Sequence, residues 1–276
     1  MVKKICQKIY VALIMFFLYA PIVVLIVLSF NKSKSRSKWG GFTFDWYQSL
    51  FQNEEIMNAL YTTLIIAFLS ALIATIIGTA ASIGINHMRK VPKTILMGIT
   101  NIPMLNADIV TGISLMLLFV AINFTLGFKS VLIAHITFNI PYVILSVMPK
   151  LKQTNKNTYE AALDLGASPI SAFFKVVLPD ILPGVFSGFL LAFTMSLDDF
   201  IITHFTRGAA VNTLSTKIYA ETRKGIKPEM YALSTLLFLS VLILLVLINR
   251  RNDRIEKKRN TVALAPVKNF KTEKAR

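Results

Sequence analysis

Tyr159 to Pro179 reads YEAALDLGASPISAFFKVVLP, a charged segment punctuated by glycine and proline and set between long apolar runs. It carries helix signals, yet its charge bars it from lipid. Asn157, with Glu160 three residues on, predicts a capping-box start. Ala161, Ala162, Leu163 and Leu165 follow at helical spacing, and Gly166 supplies a left-handed stop. Ser168-Pro169 predicts an N-cap and first-turn proline for a second short helix, which must end before Pro179. Two short helices about a glycine elbow make a compact cytoplasmic knob, a shape that docks into a groove on a partner.

Outward from the knob the chain is apolar. Of its 276 residues 54% are hydrophobic and 16% charged, and the mean hydropathy is +0.60. That balance excludes an ordinary soluble domain and predicts an all-α, polytopic membrane protein. Six runs approach or exceed the ~20 residues that cross a bilayer as a helix: 10–30, 59–85, 94–124, 130–148, 181–205 and 231–249. The first follows Lys3, Lys4 and Lys8. It is too long for a signal peptide's apolar region and reads as an uncleaved anchor. The chain divides into an anchor with the first outer loop (1–58), a permeation core (59–249) holding the knob at 157–179, and a basic tail (250–276).

Charge orients these runs. With both termini in the cytoplasm, Arg89, Lys90, Lys93, Lys150, Lys152, Lys156, Lys175 and the tail lie inside, and so does the knob. Lys32, Lys34, Arg36 and Lys38 go against the trend, in the first outer loop. The net charge of +16 follows from this sorting and from attraction to anionic lipid, so nucleic acid is not an expected partner. Cys6 is the single cysteine, so no internal disulfide forms.

No phosphate-binding GxxxxGK[ST] loop occurs; Gly127-Phe128-Lys129-Ser130 resembles only its end. The chain is therefore expected not to bind ATP by that route. No cofactor is expected in this chain. His87, His135 and His204 are scattered without metal-ligand spacing, and His135 is expected to hydrogen-bond a neighbouring helix. Asp198-Asp199 invites comparison with the magnesium-diphosphate motif of membrane prenyltransferases, but Ile202 stands where a third aspartate is needed. The chain is therefore expected not to be an enzyme.

Ionisable groups within spans cost roughly 2.5–3.5 kcal/mol each on insertion scales and mark function. Asp108 lies in the third run, Asp198 and Asp199 in the fifth. Counted along straight helices at ~1.5 Å per residue, Asp108 lies about 22 Å and Asp198 about 26 Å from the cytoplasmic end. They are expected to converge in the outer half, with Pro103 and Asn106 opening the third helix just before Asp108. Carboxylates without balancing lysine or arginine suit a cationic substrate. Adjacent acids point about 100° apart on a helix, so one of Asp198 and Asp199 is expected to face the path, with Ser196 sharing the surface of Asp199. Helix–helix bonding is the competing role for these acids. Gly84, Gly112, Gly184 and Gly188 are expected to permit close helix approach. Trp39, Phe42, Phe44, Trp46 and Tyr47 form an outer aromatic group, either a cation–π partner for alkylammonium or an interfacial belt.

Glu160-Ala161-Ala162, Gly166 and Val176-Val177-Leu178-Pro179 resemble the signature loop of ABC importer permeases, with valine replacing isoleucine. Across nearly the whole chain, ADIVTGISLMLLFV, AFTMSLDDFIITHF and KIYAETRKGIKPEMYALST resemble the C-type permease subunit of spermidine/putrescine importers, in the binding-protein-dependent inner-membrane component family. The resemblance implies a type I (MetI-like) fold of six transmembrane helices and import of polyamines. It implies a heterodimer with a related permease, an extracytoplasmic polyamine-binding protein and an ATPase dimer, which engages one knob per subunit and carries the ATP and magnesium. It assigns Trp46, Asp108, Ser196, Asp198 and Asp199 to the substrate path, and Glu160, Ala161, Ala162, Gly166, Leu178 and Pro179 to ATPase coupling. A permease for ferric ion or a small organic cation is the alternative within this class.

Overall fold

A computed structural model describes residues 2–35, 37–209, 211–225 and 227–243. The basic tail and the end of the sixth apolar run lie outside them. The described chain is almost entirely helical. Helix α1 spans Val2–Ser29, α2 Asp45–Gln52, α3 Glu54–His87, α4 Lys90–Leu105, α5 Asp108–Ala121, α6 Phe128–Gln153 and α7 Lys156–Asp164. Helix α8 spans Pro169–Asp198, α9 Ile201–Thr206 and α10 Leu214–Lys224, and α11 Pro228–Ile243. Among the described residues α1, α3, α6 and α8 are long and apolar enough to cross a membrane alone.

Helix α3 shows how local chemistry starts a span. The Asn53 side chain accepts from the Glu55 and Ile56 amides at 3.1 and 3.3 Å. Glu54 and Glu55 place negative charge at the positive end of the helix dipole. At ~1.5 Å per residue its 34 residues extend about 51 Å, well beyond a hydrocarbon core of about 30 Å.

Helices α3, α6 and α8 form the centre of the molecule. Ala71, Ala74, Val143, Val147, Ile181 and Ala192 are fully buried there. Lipid is as apolar as leucine, so close backbone approach rather than oil-like collapse joins such helices. A Cβ on Gly78 would lie 2.8 Å from Val143, and one on Gly184 would lie 2.8 Å from Lys150 Cγ and 2.9 Å from the Ser146 carbonyl. Gly188 approaches Val143 and Ser146 at 3.3 Å, and Gly112 meets Phe205 at 3.1 Å. Gly84, expected to serve the same purpose, faces open space, and Gly78, six residues earlier, makes the close approach instead.

These contacts fix direction. Gly78 meets Val143, while Ser70, eight residues earlier on α3, is linked through Ser196 to His135, eight residues earlier on α6. Helices α3 and α6 therefore run parallel. Ser196 meets the start of α6 and Gly184 its end, so α8 runs antiparallel to both. A chain leaving α3 and entering a parallel α6 must first recross the membrane, and α4 with α5 makes that crossing. These two are bent by 103°, with the break at Asn106 and Ala107. The third run is thus one broken span, and the straight-helix depth expected for Asp108 does not hold. Pro103 and the extended backbone of Asn106 (ψ 148°) stop α4, and Asp108 opens α5 in its first turn.

The fifth run is broken as well. Asp199 adopts an extended backbone (φ −60°, ψ 125°) between α8 and α9. By contrast, the second knob helix does not end before Pro179. It continues through a π turn at Phe173–Val177 into the rest of α8. Proline lacks the amide that an α-helical ladder needs, and the wider turn passes Pro179 without ending the helix. No residue in the most apolar stretch of α1 is buried; Ser29 joins the helix to Tyr47 of α2 through a 2.7 Å hydroxyl contact.

Candidate transport site

His135, on α6 and 1% exposed, sits at the centre of a buried polar network. Its Nδ1 lies 2.5 Å from Ser196 Oγ of α8, and Ser196 lies 3.1 Å from Ser70 Oγ of α3. Its Nε2 lies 2.8 Å from Thr203 Oγ1 of α9 and 3.3 Å from Asp199 Oδ2. Asp199 also accepts from the Ile202 amide at 3.2 Å, the Thr203 amide at 2.8 Å and the Thr203 hydroxyl at 2.8 Å. The Asp199 side chain is 8% exposed. Ser196 and Asp199 do share a surface, but it faces His135 inside the fold. His135 bonds neighbouring helices as its sequence position suggested.

Asp198 turns the other way and is exposed, as is Asp108. Asp198 ends α8 three residues before α9, and Asp108 begins α5 one turn before Gly112, which abuts Ile202 and Phe205 of α9. Each lies four residues along its chain segment from a member of the Gly112–Ile202 contact. They project where both helices are interrupted, the arrangement in which backbone and acid side chains line a polar passage. Of the adjacent pair, of which the sequence led one to expect a single exposed member, the structure encloses Asp199 and leaves Asp198 exposed alongside Asp108.

Trp46 belongs to a separate group at the base of the loop between α1 and α2. Its indole N–H donates to the Asn31 carbonyl at 2.8 Å. Asn31 organises this loop, accepting from the Gly40 amide at 2.8 Å and donating to the Lys38 carbonyl at 2.9 Å. Phe30, Phe42, Phe44 and Tyr47 stack beside it. On the same side of the molecule, Glu55, Asn58, Thr62, Phe128, Asn212 and Lys217 line a cavity of about 400 Å³. Lys217 pairs there with Glu55 and with Glu221. Burial works to raise the Glu221 carboxyl, but the Lys227, Lys217 and Lys224 ammonium groups outweigh it and hold it below the usual carboxylate range. Among the described residues no three His, Cys, Asp or Glu side chains gather as a bound metal would need.

The knob is built largely as its residues indicate. Helix α7 is capped by Asn155, whose side chain accepts from the Asn157 amide at 3.0 Å, two residues before the expected cap at Asn157. Gly166 takes φ 85°, a conformation that favours glycine. Ser168 accepts from the Ser171 amide at 3.3 Å and Pro169 opens α8. Glu160, Ala161, Gly166 and Pro179 are exposed and Ala162 is half-buried, while Leu178 packs against the α3–α6–α8 core. Leu165, Ile170 and Phe174 are 89, 72 and 59% exposed. An apolar set on a short charged loop was not anticipated from spacing alone; the signal was present in the residues flanking Gly166.

Residues 74–260 match the family described as "Binding-protein-dependent transport system inner membrane component". The chain belongs to this family. As such it is a permease subunit of an ABC importer and a multi-pass membrane protein. It is 38% identical over 240 residues to the spermidine/putrescine transport system permease protein PotC of Haemophilus influenzae, covering 86% of this chain and 93% of that protein. It is also 38% identical to the putrescine transport system permease protein PotI of Escherichia coli K12, over 80 and 81% of the two chains. Its fold resembles a chain in the crystal structure of a bacterial ABC transporter involved in the import of the acidic polysaccharide alginate. The TM-score is 0.69 at 17% identity, over 91% of this chain and 95% of that one. The methionine transporter MetNI gives 0.58 at 18% identity, over 79 and 99%.

Proposed function

We propose that this permease carries polyamines into the cytoplasm. Asp108 and Asp198 take over from water around each ammonium, and a separate ATPase drives the cycle through the α7–α8 knob. The observation that carries this reading is the pair of exposed carboxylates on interrupted helices, in a chain whose relatives bear polyamine names. Trp46 holds the outer loop in shape beside the entrance. Both termini lie in the cytoplasm, which puts the basic α3–α4 turn and the knob on the positive side. A related second permease completes the passage, an extracytoplasmic binding protein delivers the amine, and the ATPase dimer holds ATP and magnesium. Uptake of radiolabelled spermidine and putrescine in a strain lacking this gene tests the reading. Restoring the chain is expected to restore uptake, with unlabelled polyamine competing and ferric ion or choline not. Unchanged uptake on deletion, or competition by the other cations alone, overturns it.

The knob gives a second expectation. Leu165, Ile170 and Phe174 are apolar anchors of the kind that dominate protein interfaces when buried by a partner. Changing Leu165 and Ile170 together to aspartate is expected to cut ATP hydrolysis by the assembled complex at least ten-fold. Membrane levels of the chain should stay the same, because neither side chain packs in the core. Undiminished hydrolysis would place the motor's contact elsewhere.

A further inference from the structure

We propose that His135 is a positioning residue for transport: it holds Asp199 in an enclosed pair that never meets the substrate, and through that pair sets the break that presents Asp198. The inference rests on the polyamine reading for its transport readout, but its geometry does not.

Asp199 has its obligations met inside the fold. A carboxylate offers about four acceptor sites. Asp199 receives four contacts, from two α9 amides, the Thr203 hydroxyl and His135 Nε2. Burial leaves no face for an ammonium and its residual water to approach. The same carboxylate caps α9, so its position fixes where α8 ends and α9 begins. Asp198 is the last residue of α8, and its outward direction is set by that junction.

His135 is what keeps Asp199 inward. One imidazole touches Ser196 of α8, Thr203 of α9 and Asp199 between them, and Ser196 passes the connection to Ser70 of α3. Hydroxyls donate or accept, so the Ser70–Ser196 pair is able to run its hydrogen bonds in either direction. The ring therefore keeps all its contacts whether it is neutral or protonated. Satisfied buried networks of this kind rigidify the elements they join. Without the ring, Asp199 is left under-paired in an apolar setting and is driven toward the aqueous side, which rotates Asp198 away from the α5–α9 contact.

The test is a double-mutant cycle on the assembled complex, combined with a labelling assay that needs no transport. His135→Leu is expected to raise the half-saturating spermidine concentration at least ten-fold. His135→Gln, which retains an N–H donor, should stay within about three-fold of the parent. Adding Asp199→Asn to His135→Leu should cost less than a further two-fold, because both changes break one pair. A full independent penalty from Asp199→Asn in that background, larger for spermidine than for putrescine, would mean direct ammonium contact and overturn the proposal. For labelling, Asp198→Cys in a Cys6→Ser background is treated in membranes with a trimethylammonium methanethiosulfonate. Reaction is expected to slow at least ten-fold when His135→Leu is added and to recover with His135→Gln. An unchanged labelling rate overturns the positioning role even if no polyamine is carried.

Discussion

Asp198→Asn is expected to raise the half-saturating polyamine concentration about 30-fold. The substitution keeps size and removes charge, so the loss isolates the ion pair. Truncating one partner of a desolvated charge pair costs about 2–5 kcal/mol. The lower end suits a residue that is exposed in this chain, and about 2 kcal/mol is roughly 30-fold at 1.4 kcal/mol per decade. Asp198→Glu keeps the charge and should recover most of the affinity. Uptake measured across spermidine concentrations, with the complex quantified in membranes, checks this. A change confined to maximal velocity would assign Asp198 to helix coupling rather than to the amine.

The second large effect is expected at Gly78. A Cβ there would already press on Val143 Cβ and Cγ1 at 2.8 Å and on the Ile140 carbonyl at 3.3 Å. Val143 is completely buried and has nowhere to retreat. Overpacking typically costs about 1–3 kcal/mol, and Gly78→Leu should reach or exceed about 3 kcal/mol. The expected result is loss of the detergent-solubilised chain from a size-exclusion profile, with partial recovery on adding Val143→Ala. Gly84→Leu, six residues along the same helix but facing open space, should behave like the parent. Equal sensitivity at both positions would refute the proposed parallel contact of α3 and α6.

Much of this was legible in the residues. Apolar run length located the spans, because the bilayer sets a length that a helix must meet, and Ser168-Pro169 and Gly166 marked the knob through backbone rules that act locally. The junctions were harder. Asn106 signalled a break, but its 103° size depends on α5 packing against α9 through Gly112, which no local rule contains. Pro179 read as a terminator because the π turn that accommodates it has no strong sequence signature. Gly84 and Gly78 look alike in a string, and only the register against α6 tells them apart. The direction of Asp199 was open for the same reason: its answer lies in His135, more than sixty residues away.

Helix α8 runs unbroken from Pro169 to Asp198, about 45 Å at ~1.5 Å per residue. Its foot carries Ile170 and Phe174 and its head carries an acid. A tilt imposed at its foot therefore reaches its head as the swing of a single lever, with no relay of side chains in between. The π turn near its base is a soft joint on that arm, so stiffening or loosening it should alter stroke length without touching either end.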